Sequence, residues 1–87
     1  MKDFVIKDFD RFLEIADTIN TPFKFIETGG SDVGEDHVCV TAKVWMRTAY
    51  LTYEVDVHKK ELDDMFAVLK RHGFTEAEIR ETAFPVR

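Results

Sequence analysis

The chain has 87 residues, 45% of them hydrophobic, with eight Phe, and a net charge of −5 from 17 acids and 12 bases. That is one domain with a small core, residues 1–87, and the composition excludes disorder. The acidic balance argues against direct binding to nucleic acid or to an anionic membrane, and a single cysteine excludes an internal disulfide and fits a reducing cytoplasm.

Residues 1–8 lack the apolar core of a signal peptide, and no apolar run approaches the ~18 residues of a membrane span. Whether residues 2–6 form a strand is open, because Phe4-Val5-Ile6 is too short to show a period. Phe9, Phe12, Leu13, Ala16 and Ile19 then recur at helical spacing and predict a helix over about 8–20. Asp8 can cap it, and Asn20-Thr21-Pro22 stops it. Residues 23–28 read as a strand, with Phe23 and Phe25 on one side and Lys24 and Ile26 on the other. Gly29 to Asp36 read as a glycine-containing, acidic loop.

Two long strands follow, about 36–45 and 49–57, rich in β-branched residues. One face carries Val38, Val40, Ala42 and Val44, then Ala49, Leu51, Tyr53, Val55 and Val57. The other carries His37, Cys39, Thr41, Lys43 and Trp45, then Tyr50, Thr52, Glu54 and Asp56. Opposed residues of a hairpin share a face, so paired numbers here must sum to an odd value: 93 pairs Thr41 with Thr52, and 95 pairs Trp45 with Tyr50. A second helix is predicted over about 58–72, with Leu62, Met65, Phe66 and Leu69 inward and Gly73 as the left-handed residue after its end. Thr75-Glu76-Ala77-Glu78 reads as a capping box for a short third helix over about 76–82. The predicted fold is α+β: a three-stranded antiparallel sheet with both long helices on its apolar face.

No motif carries catalysis. The loop Gly29-Gly30-Ser31-Asp32-Val33-Gly34 matches neither phosphate-binding fingerprint, and its acids would repel phosphate. Asp32, Glu35, Asp36 and His37 could offer ligands to a cation, but the spacing of a calcium loop is missing and no second His stands at a metal-ligand interval. Neither cofactor nor metal is expected, and no enzymatic activity.

The second sheet face is the informative one. Trp45, Tyr50, Ile26 and Cys39 interrupt its polar residues, and Trp and Tyr are enriched where proteins meet. The first reading is therefore a non-catalytic interaction or regulatory domain. It would associate with another protein, most simply as a homodimer, through this face or an edge strand. Trp45, Tyr50 and Cys39 would form its centre, with Lys43, Arg47 and Glu54 at the rim. A second reading is an acidic inhibitor that imitates nucleic acid, presenting Asp8, Asp10, Glu14 and Asp17 on the first helix and Asp32, Glu35 and Asp36 on the loop. A third is a small enzyme or ligand-binding protein, against which a Phe-filled core leaves little spare volume.

Overall fold

The protein, seen in a computed structural model, is described over residues 4–80 for the backbone and 4–76 for side chains. The order is β1 (Phe4–Val5), α1 (Phe9–Thr18), β2 (Lys24–Gly30), β3 (His37–Trp45), β4 (Tyr50–His58), α2 (Leu62–Arg71) and β5 (Thr75–Arg80). The architecture is α+β, but the sheet has five strands rather than three and is mixed, in the order β1-β4-β3-β2-β5. The β2–β3–β4 meander is antiparallel as predicted, while β1 lies parallel to β4 and β5 parallel to β2.

Those pairings make β1, β2, β4 and β5 all run the same way, with β3 opposed. Hence β1–α1–β2 and β4–α2–β5 are both parallel crossovers, each skipping the two strands between its ends. Both move across the sheet in the same sense. Crossovers of this kind share one hand, so α1 and α2 must land on the same face. Among the described residues, the opposite face receives no helix.

The covered face holds the core. Ile26, Val40, Ala42, Val44, Leu51, Tyr53 and Val57 face Phe12, Leu13 and Ala16 of α1 and Phe66 and Leu69 of α2. Phe12 is central: its ring lies 5.6 Å from Tyr53 and 5.7 Å from Phe74. The alternation predicted for β3 and β4 holds, and the register follows the sum of 95, so Trp45 opposes Tyr50, Thr41 opposes Glu54 and His37 opposes His58. A connection over residues 46–49 closes the hairpin through a bond from the Met46 N–H to the Ala49 carbonyl (2.9 Å), with Arg47 at φ 80°. A non-glycine residue in that region costs about 1–2 kcal/mol.

α1 starts where Asp8 accepts from the Arg11 N–H at 3.2 Å. α2 starts later than predicted. His58 still belongs to β4, Lys59–Glu61 wind as a 3-10 turn, and the His58 imidazole caps that turn by accepting from the Lys60 N–H at 3.1 Å. Its end is as predicted. The Phe74 N–H donates to the Leu69 carbonyl and the Gly73 N–H to the Lys70 carbonyl, with Gly73 at φ 91°. These are the two bonds of a Schellman cap. A Cβ on Gly73 would meet nothing closer than 3.7 Å, so the Gly73→Ala penalty is one of backbone conformation alone. Chemical denaturation of Gly73→Ala should show a loss of about 1 kcal/mol, the left-handed cost partly offset by a less flexible unfolded chain.

Three expectations are corrected. The short helix over 76–82 is a strand as far as Arg80, and residues 81–82 lie outside the described residues. The capping-box hydroxyl of Thr75 donates instead to the Lys24 carbonyl on the free edge of β2 (3.3 Å), where pairing over Phe25–Gly29 wins over local helix signals. Gly29 and Gly30 belong to β2 and pair with Cys39 and Val38, so the loop begins at Ser31. Ile26 faces the core, fully buried opposite Ala42, and Phe25 takes the outer face. Lys24 therefore lies on the helix-bearing side. Its stem runs along the core and its ammonium reaches the His72 carbonyl (3.3 Å) at the negative end of α2.

Candidate functional site

The uncovered face is a grid set by the register. Tyr50 and Trp45 make one row; Thr52, Lys43 and Phe25 the next; then Glu54, Thr41 and Glu27; then Asp56, Cys39 and Gly29; and finally His58 and His37. Adjacent rows lie about 7 Å apart, two residues of strand rise.

The first two rows form a contiguous aromatic cluster. The rings of Trp45 and Tyr50 are 4.8 Å apart, Phe25 meets Tyr50 edge-on at 5.8 Å, and the Lys43 ammonium lies 5.2 Å from the Tyr50 ring centre. Each of these four is half-buried, although no helix of the described residues covers them. Beyond the cluster, Phe23 is 61% exposed. A shallow cleft of about 450 Å³ opens there between Ile19, Pro22, Phe23, Trp45 and Arg47. Arg47 is thus beside the cluster, at the hairpin tip.

The next two rows are acidic. Glu54 and Asp56 are exposed, and they flank Cys39, whose thiol lies 3.6 Å from a Glu54 carboxylate oxygen. Asp56 accepts from the Ser31 hydroxyl at 2.8 Å. Partial burial first, then the Glu54 and Asp56 charges, push the Cys39 thiol up to about 11. A thiol raised in the folded state favours folding fully below its unfolded value of about 9 and loses that contribution as pH climbs toward 11. Cys39 should therefore alkylate slowly with iodoacetamide at pH 8, with a rate midpoint near pH 11 that Glu54→Gln moves down. A midpoint at the ordinary thiol value would show that the acidic rows do not act on it.

Thr52 departs from expectation. It lies on the uncovered face, yet only 6% is exposed, and its hydroxyl has no hydrogen-bond partner. Larger neighbours in its own and adjacent rows account for the burial.

The acids of the second reading are placed apart, and several already serve the chain. Asp8 caps α1, Glu14 lies 3.9 Å from Arg11, and Asp17 accepts from His72 at 2.8 Å. Asp36 clamps the end of the meander, one carboxylate oxygen 2.8 Å from His37 Nδ1 and the other 3.3 Å from His58 Nε2. Because His58 Nδ1 accepts from Lys60, the neutral ring carries its proton on Nε2, the nitrogen nearest Asp36. The His37 hydrogen bond chiefly holds the Asp36 carboxyl below its usual range. Asp10, Asp32 and Glu35 are exposed. Among the described residues, no group of three or more His, Cys, Asp and Glu is placed to hold a metal ion, and no helix is long and apolar enough to cross a membrane.

The core leaves more space than expected. A groove of roughly 1070 Å³ runs between α2 and the end of β2, against Thr28, Gly30, Val38, Leu62, Phe66 and Ala67. Thr28 and Gly30 on the sheet and Ala67 on the helix are small and leave that space unfilled. Lys59, Lys70, Asp63, Glu35 and Glu76 are also around it, charges of both signs, and Lys70 lies 3.9 Å from Glu76.

Sequence reasoning brought Trp45, Tyr50, Cys39, Lys43 and Glu54 to one face and missed Phe25. The absent signal was a rule for β2. The long β2–β3 connection carries no parity constraint, and Phe looks more apolar than Lys24. No protein-family model matches the chain, and neither a curated protein nor a solved structure matches it.

Proposed function

We propose that this is a non-catalytic docking domain that works through the uncovered face of its sheet. The observation that carries the reading is the Phe25–Trp45–Tyr50 cluster, in which Phe25 and Trp45 each pack against the Tyr50 ring, on a face that the crossovers leave without a helix among the described residues. Scattered apolar residues are normal on a surface, whereas a contiguous aromatic patch rimmed by charge marks a contact site. Trp45, Tyr50 and Phe25 are the anchors. Lys43 and Glu54 flank them, Cys39 gives a small neighbour onto which a partner can close, and Arg47 extends the patch at the hairpin tip.

Light scattering on the wild type and Trp45→Ala across a range of concentrations tests this, together with capture of bound protein from host lysate. Wild-type mass or a captured partner should be lost in Trp45→Ala while circular dichroism stays unchanged. Identical mass and identical capture for the two proteins would sink the reading.

A further inference from the structure

We infer that the uncovered face pairs with the same face of a second copy, the strands of the two sheets running in reverse. This rests on the docking reading above and names its partner.

The face is polarised along the strands. Its upper rows hold the aromatic rings and Lys43, and its lower rows hold Glu54 and Asp56. A two-fold axis lying between the sheets, perpendicular to the strands, turns each end of one copy onto the other end of its partner. Such an interface is self-complementary by symmetry, so each contact occurs twice.

Placing the axis between the Lys43–Thr52 row and the Thr41–Glu54 row satisfies two features at once. Lys43 comes beside Glu54 of the second copy. Trp45 comes over Cys39, the smallest side chain of β3 on this face, and Tyr50 comes over Asp56. The unreversed arrangement would set Lys43 near Lys43 and Glu54 near Glu54. Like charges there repel, so the grid selects the reversed one.

The area is that of a small interface. Strands of two, seven, nine, nine and six residues, at about 3.3 Å per residue and about 4.8 Å between strands, give on the order of 500 Å² per copy. Twice that is the ~1,000 Å² in total that a specific interface should reach.

The test is sedimentation equilibrium on wild type, Lys43→Glu, Glu54→Lys, the double variant and Trp45→Ala, with denaturation midpoints as a fold control. Wild type should dimerise. Each single charge reversal places like charges together twice and should weaken dimerisation at least about tenfold. The double reversal re-forms the pair with its signs exchanged and should restore affinity to within about threefold. A wild-type dimer lost in Trp45→Ala, but with no rescue in the double variant, overturns the reversed pairing and leaves the docking face intact. A wild type that stays monomeric overturns the second copy as the occupant, and capture of another partner, lost in Trp45→Ala, then decides the docking reading by itself. Dimerisation indifferent to Trp45→Ala overturns both.

Discussion

Phe12→Ala is expected to destabilise the domain by about 3–5 kcal/mol, the usual range for deleting a fully buried aromatic ring. A domain of this size has a total of only about 5–15 kcal/mol, so the variant should be partly unfolded under mild warming. The reason is position. Phe12 has no exposed surface, and it joins three parts of the fold: α1 that carries it, Tyr53 on β4, and Phe74 at the turn from α2 into β5. Removing the ring leaves a void that no single neighbour can close, since those neighbours are held by separate elements. Phe12→Leu keeps most of the volume and should cost only about 1 kcal/mol. Urea denaturation of the two variants checks this. Similar midpoints for wild type and Phe12→Ala would mean that Phe12 does not tie the two crossovers together.

The second large effect separates association from folding. In the single chain Trp45 makes a cross-strand pair with Tyr50, worth about 0.5–1 kcal/mol. As an interface anchor it should be worth about 2 kcal/mol or more, so Trp45→Ala should weaken association by roughly 30-fold or more. Folding stability should fall by about 1 kcal/mol or less. A purely structural Trp45 predicts the small folding loss with no loss of association.

The meander was legible in the sequence because strict alternation on β3 and β4 leaves one way to bury Val40, Val44, Leu51 and Tyr53. Parity then limited the hairpin to odd sums, and 95 is the one found. The helix stripes and Gly73 were legible for the same reason: each follows from a local rule about backbone geometry. The two outer strands were not. β1 has two residues and gains meaning only from β4, to which it lies parallel across a long connection. β5 carries the local signature of a helix start, and only the free edge of β2 turns Thr75 into a strand residue. Missing these strands hid the two crossovers, which are the reason one face stays bare. The exchange of Ile26 and Phe25 has a similar cause. A lysine on the core side is reasonable only once the α2 C-terminal carbonyl is there to receive it.

Trp45 is the one tryptophan of the chain, and it stands in the aromatic cluster of the bare face. Its fluorescence therefore reports directly whether that face becomes covered. Acrylamide quenching and emission maximum should be followed as the protein is concentrated, and as any captured partner is added. Quenching should fall and emission should move to shorter wavelength in step with association. Association that leaves both unchanged would contradict this, because the contact would then be made elsewhere on the molecule.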